Sequence, residues 1–365
     1  MPLPSTAVIT FRDVRHGPWN AHAFALTDLV ASAFGATTMR MSDPTSPAAM
    51  LAARKGKRLD LVRRFPGRSH VSPTVDEVGP VDLLFVVAHD ATDLDQLFVT
   101  EADWYAPNAL KILVLVEVWA EDARRWPQSF QRVLSRFDAV FCTLEEGIDA
   151  LQSASGVHVE VMAQAVDVLN APFRVNPHLD VLTIGRRHPA QHQLLEAWAA
   201  EHDGWYHYDT LPAGRTADVD LHRKVTATML AQSAVSVCNF ARFDDTERIG
   251  STRGTGTRFF ETLASGALIV GDLPTDHMFE DQFGEVAGKA DFPLDCGHLG
   301  TDAVAELVAM GRDPRVRRSN RAHALGTQDL AHRVRQILGY VGVEVPEAIT
   351  QRFAALDAQR ADLLD

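Results

Sequence analysis

Leu83-Leu84-Phe85-Val86-Val87 is an unbroken apolar run with no polar residue at alternate positions. A strand that shows one face to water alternates; a strand covered on both faces does not, and such strands belong to parallel sheets lying between helices. Runs of this kind recur along the chain. They predict strands at residues 7–10, 81–87, 111–118 and 139–143, and again at 180–185, 204–208, 234–239 and 267–271. Helical patterns fill the intervals. The first, over residues 21–34, carries Leu26, Leu29, Val30, Ala33 and Phe34 at helical spacing. Strand and helix alternating from end to end define an α/β chain with parallel sheets.

At 365 residues the chain exceeds what one core usually holds, so two domains are expected. The break falls at Gln164-Ala165-Val166-Asp167, which is followed by Asn170-Ala171-Pro172 and Asn176-Pro177 with little periodicity. This gives a first domain over 1–168, a second over 178–342 and a closing segment over 343–365. The closing segment reads as an amphipathic helix over 346–364, with Ile349, Phe353, Leu356 and Leu363 or Leu364 on one side. Residues 43–79, rich in Pro, Ser, Arg and Lys, read as an excursion from the first sheet.

The chemistry concentrates in Gly254-Thr255-Gly256-Thr257-Arg258-Phe259-Phe260-Glu261-Thr262-Leu263-Ala264-Ser265-Gly266, followed by the apolar Ala267-Leu268-Ile269-Val270-Gly271. Gly254 and Gly256 let backbone approach a ligand closely. The helix that follows aims free N–H groups and a positive dipole end at whatever lies above the loop, which suits phosphate. Arg258 and Glu261 stand three residues apart and share a helix face. Phe259, Phe260, Leu263 and Ala264 hold down the opposite face. Arginine for phosphate oxygens and glutamate for sugar hydroxyls suit a nucleotide diphosphate. The same two residues also fit an ordinary surface pair worth ~0.2–0.5 kcal/mol.

Arg258-Phe259-Phe260-Glu261-Thr262-Leu263-Ala264-Ser265-Gly266 resembles the R-x-x-E-x-x-A-x-G donor signature of group 1, family 4-like, glycosyltransferases of the GT-B fold. The resemblance is specific over roughly residues 160–340. It includes the Gln164-to-Asp167 segment, which is similar to the family's "Q-x-V-D" passage between domains, and the run from Asp313 to Leu338. It implies two doubly wound Rossmann-like domains facing across a cleft, with a nucleotide-sugar donor in the second domain and the acceptor side in the first. In many such proteins the final helix crosses back onto the first domain. The resemblance implies that Glu261 binds the donor ribose and that Gly254, Gly256, Thr257 and Arg258 receive the diphosphate. It further implies catalysis without a bound metal or other cofactor. The chain departs from the pattern at Arg253, where many retaining members place a second glutamate.

Other candidates sit where strands end. Gly185-Arg186-Arg187-His188-Pro189 follows a predicted strand, and Arg186 and Arg187 can clamp a diphosphate bidentately. His188, Gln191, His192 and Glu196 have metal-ligand spacing along a helix, with surface helix histidines the plainer reading. In the first half the candidate bases are His16, with His22 behind it, His89 and Glu117. Each also fits an ordinary loop or capping role. Asp244, Asp245, Glu247 and Arg248 form a charged loop ahead of the glycine segment.

Composition narrows the partners. A net charge of −13 argues against nucleic acid and against an anionic membrane face. No window approaches 18 consecutive apolar residues, and Met-Pro-Leu-Pro-Ser-Thr lacks the basic start and apolar run of a signal peptide. Cys142, Cys238 and Cys296 show no CxxC spacing, so a reducing cytoplasm is expected. The expected function is transfer of a sugar from a nucleotide-sugar to a hydroxyl acceptor of unknown identity. Two alternatives stay open: a catalytically inactive relative that binds or scaffolds, and a nucleotide-sugar 2-epimerase.

Overall fold

The computed structural model describes residues 3–15, 17–41, 71–73, 80–89, 91–209, 216 and 218–364. The chain divides into two compact units. Unit 1 comprises Met1–His16, His22–Met162 and Ile337–Glu347; unit 2 comprises Gly17–Ala21, Ala163–Gln336 and Ala348–Asp365. The last helix, Glu347–Leu364, thus lies almost wholly in unit 2, where Ile349 and Leu356 are buried. The excursion expected over 43–79 lies outside the described residues, except for Val71–Pro73.

Unit 1 is built on strands β1 (Thr6–Thr10), β2 (Thr37–Met41), β3 (Val71–Pro73), β4 (Leu83–Ala88), β5 (Leu110–Leu115), β6 (Ala139–Cys142) and β7 (Glu160–Val161). Their order is β3-β2-β1-β4-β5-β6-β7, parallel throughout except for the antiparallel β2–β3 pair. Val8 faces Thr38 on one side and Phe85 on the other, and Phe85 faces Ile112. Every residue of β4 is buried, as the uninterrupted apolar run requires of a strand covered on both faces.

Unit 2 holds β8 (Leu179–Ile184), β9 (Tyr206–Asp209), β10 (Ser233–Val237), β11 (Leu268–Gly271) and β12 (Lys289–Asp291). Their order is β12-β11-β10-β8-β9, all parallel. Val181, Leu195, Trp198, Val235, Leu268 and Val304 close the core between the sheet and its helices. Both units are doubly wound parallel sheets, and the eight strands expected from apolar runs are all present. Strands β2, β3, β7 and β12 were not expected. Three of them hold only two or three residues, β2 is Thr-Thr-Met-Arg-Met, and strands at or near an edge need no continuous apolar run.

Where the chain enters unit 2 it is tied down by a buried ionic node. Val166 bridges to Asp329: its N–H donates to Gln328 O at 3.2 Å and its carbonyl accepts from Leu330 N at 3.1 Å. The Asp329 carboxylate has no exposure and takes a two-pronged bond from Arg352 Nε and Nη2, each at 2.7 Å. It also accepts the backbone N–H groups of Leu169 and Ala331. Arg352 reaches Asp167 as well. One arginine from the last helix thus joins the entry segment to the residues between two late helices.

Two expectations follow from this node. Arg352→Ala leaves a buried, unpaired carboxylate and lowers unfolding stability by ~3 kcal/mol, measurable in urea. The second concerns acid. Burial opposes the charge of Asp167, but the bonds and charge of Arg352, with Asn170 and Arg223, override it and hold the carboxyl below 3.8. A carboxyl depressed in the folded state contributes stability that is complete above its unfolded value and lost as pH falls through the folded one. Unfolding stability measured downward from pH 4 therefore drops in the native chain, with a shallower slope in Arg352→Ala.

Candidate functional site

In unit 2 the strand order changes direction between β8 and β10, so the connections after them leave on opposite sides and open a crevice at their carboxyl ends. Gly185, at φ +88°, turns the chain out of β8 and presents Arg186 and Arg187. Arg186 Nε pairs with Asp244 Oδ1 at 2.8 Å, on the connection after β10. The Arg187 guanidinium lies 4.3 Å from the Tyr208 ring centroid, and its Nη1 is buried without a hydrogen-bond partner among the described residues. His188 precedes the next helix with its ring 6.2 Å from that of Phe243. His192 faces Tyr206 OH at 3.0 Å and Glu196 at 3.3 Å, while Gln191 bonds Asn239 and Phe292 O. Among the described residues no three His, Cys, Asp or Glu side chains gather where a metal could sit.

The glycine segment runs beside this crevice. Ala241 N donates to Gly254 O at 2.9 Å, and Gly271 lets β11 close on β10, since a Cβ there would meet Cys238 O at 1.9 Å. The helix Thr257–Ala264 starts after Gly256, whose backbone is extended, and among the described residues no side chain caps it. Phe259 N donates back to Gly256 O at 3.2 Å, which leaves the N–H groups of Thr257 and Arg258 at the open end of the helix. Thr255 is committed elsewhere: its N–H and hydroxyl both donate to Asp276, at 2.7 Å each. The Thr257 hydroxyl donates to the Gln164 side chain. Arg258 Nη1 lies 2.8 Å from Glu261 Oε2, on the half-exposed face of the helix.

The other face is packed hard. Phe259 and Phe260 are fully buried against Phe279 and Phe283, with centroids 5.4 and 5.0 Å apart for Phe259–Phe279 and Phe260–Phe283. At the far end Arg321 donates to Ala264 O at 2.7 Å, placing a cation where the helix dipole favours one. Burial pushes that guanidinium down to about 10, which leaves it charged at neutral pH. Arg253, the departure from the family pattern, is tied to the strand after the helix. It pairs with Asp272, donates to Leu273 O at 3.0 Å and lies 4.7 Å from the Phe240 ring centroid.

Unit 1 has its own change of direction, between β1 and β4. His89 follows β4 and Glu117 follows β5; His89 Nε2 lies 3.5 Å from Glu117 Oε2. Trp119 Nε1 donates to the other Glu117 oxygen at 2.8 Å. The Asp93 carboxylate, almost wholly buried, accepts His89 N at 2.7 Å and pairs with Arg15 at 2.6 Å. The His22 ring centroid lies 5.8 Å from that of His89. His16 lies outside the described residues. Two candidates 28 positions apart in the sequence thus meet as a histidine–carboxylate pair.

No protein-family profile matches the sequence, and no curated protein does. Solved structures do match. HepE of Anabaena, solved in complex with UDP-glucose, is 11% identical with a TM-score of 0.50, over 93% of this chain and 99% of HepE. AviGT4, a glycosyltransferase of avilamycin A biosynthesis, is 13% identical with a TM-score of 0.46, over 99% of this chain and 98% of AviGT4. TarM is 12% identical with a TM-score of 0.46 over 70% of this chain, which spans about half of TarM, 54%. The likeness to HepE, together with the two parallel sheets, gives the chain the α/β fold of the GT-B glycosyltransferases.

Four residues of these clusters escaped the sequence. Asp276 had a local signal, as an N-cap that accepts Phe279 N at 2.6 Å. Gln164 was legible only as a domain boundary. Arg15 and Asp93 had none, since 78 positions separate them. Asp276→Ala removes a helix cap and releases Thr255, and is expected to cost ~1 kcal/mol in a thermal melt.

Proposed function

We propose that this chain is a metal-independent glycosyltransferase that moves a sugar from a nucleotide-sugar to a hydroxyl acceptor. The observation that carries the reading is the uncapped start of the helix Thr257–Ala264, with Arg258 and Glu261 paired on its open face. As the bond between the anomeric carbon and the diphosphate oxygen breaks, negative charge grows on the phosphate. The free N–H groups of that helix start, with Arg186, Arg187 and Arg258, stabilise it. Glu261, steadied by Arg258, accepts the ribose hydroxyls. The acceptor oxygen bonds to the anomeric carbon and gives its proton to a general base, for which His89, paired with Glu117, is the candidate that unit 1 offers. HepE, bound to UDP-glucose, supports a nucleotide-sugar as the donor class. Three buried free thiols support the cytoplasm as its compartment, and no helix among the described residues is long and apolar enough to cross a membrane.

Arg253 favours a second reading, a protein that keeps the nucleotide and has lost transfer. Release of nucleoside diphosphate from a nucleotide-sugar separates the two.

Thermal melts against UDP, GDP, TDP, CDP and ADP test the primary reading. A ligand at 100 times its Kd stabilises by ~2.7 kcal/mol, a rise of a few degrees. One nucleotide is expected to give that rise, and Glu261→Ala to abolish it with folding intact. Melts unmoved by all five overturn the assignment. His89→Ala is expected to stop nucleoside diphosphate release while leaving the melt shift in place.

A further inference from the structure

Gln164 is buried, polar and two residues past the point where the chain passes from unit 1 into unit 2. Its backbone is clamped. Arg333 Nε donates to its carbonyl at 3.3 Å and Nη2 to Gln282 Oε1 at 2.8 Å, while the Val166–Asp329 bridge holds the residues just beyond. From this fixed base the side chain reaches the hydroxyl of Thr257, the first residue of the helix whose start is uncapped. In the resting arrangement Thr257 donates and the Gln164 oxygen accepts, so the one hydroxyl proton points away from the helix start.

A hydroxyl carries a single proton and cannot give it to Gln164 and to a phosphate oxygen at once. The amide of glutamine, however, has an acceptor end and a donor end of nearly the same shape. We infer that Gln164 is a positioning residue of the donor site. When a diphosphate occupies the helix start, the amide turns over, its N–H donates to Thr257 Oγ, and the freed hydroxyl proton is donated to the phosphate. The incoming bond polarises the hydroxyl and strengthens the outgoing one. Because the Gln164 backbone is held by Arg333, this orientation is imposed by the segment through which the chain enters unit 2. The inference rests on the donor reading above.

A double-mutant cycle on Gln164→Ala and Thr257→Val tests it, titrating by calorimetry the nucleoside diphosphate that raises the melt most. Thr257→Val is expected to bind roughly three- to tenfold more weakly, the effect of one lost hydrogen bond, and Gln164→Ala, which keeps the hydroxyl and loses only the bond that aims and polarises it, to bind more weakly by less. The double variant is expected to bind no more weakly than Thr257→Val alone, and Thr257→Ser to bind as the native chain does. The same cycle on the melts of the unliganded variants isolates the resting bond. Coupling in stability without coupling in affinity makes the contact purely structural and overturns the inference. If Gln164→Ala does not fold, Thr257→Val against Thr257→Ser decides: equal affinities overturn the inference, and a loss confined to valine supports it. A native chain that binds none of the five nucleotides removes the donor reading and this inference together. Binding unaffected by the substitutions removes this inference alone.

Discussion

The Asp276 carboxylate is shared between two pieces of unit 2. One oxygen caps the helix His277–Phe283 through Phe279 N; together the two oxygens hold both the N–H and the hydroxyl of Thr255 in the glycine segment. A short carboxylate placed this way fixes the loop from below without covering the N–H groups just beyond it. The aromatic stack of Phe259, Phe260, Phe279 and Phe283 then locks the same two helices side by side. Arg321 holds the far end of the helix Thr257–Ala264. The helix start is consequently held from the loop, from its aromatic side and from its far end.

Three arginines of the glycine segment and the β8 end are already engaged in ion pairs. Arg186 has Asp244, Arg253 has Asp272 and Arg258 has Glu261. Such pairs hold long side chains in one rotamer and lower the entropy lost when a ligand is bound. Arg253 differs from the other two in reaching backbone and ring as well as carboxylate, which makes it a tie between the glycine segment and the end of β11.

Unit 1 solves a similar problem with a buried network. His89, Glu117, Asp93 and Arg15 come from the ends of three strands and a following helix, and Trp119 fixes the glutamate. Placing such groups at the carboxyl ends of parallel strands costs little regular structure, because the backbone there is already leaving the sheet. Asp93 serves backbone and side chain at once, so the pair above it is oriented by a residue that itself stays out of reach.

Local pattern alone determined much of this protein. Runs such as Leu83 to Val87 fixed the buried strands, because covering on both faces demands apolar residues in succession. The glycine segment, its helix and the Arg258–Glu261 pair were readable because everything that defines them lies within a dozen residues. Strand order was not readable, and strand order brings the ends of β8 and β10, or of β1 and β4, together. The same holds for the meeting of His89 with Glu117, the hold of Arg352 on Asp329 and Asp167, and the bond from Thr257 to Gln164 across 93 positions. Hydrogen bonds and ion pairs between distant segments leave no periodic trace in a chain. Only the packed sheet, by setting which loops share an end, decides which polar groups must satisfy one another.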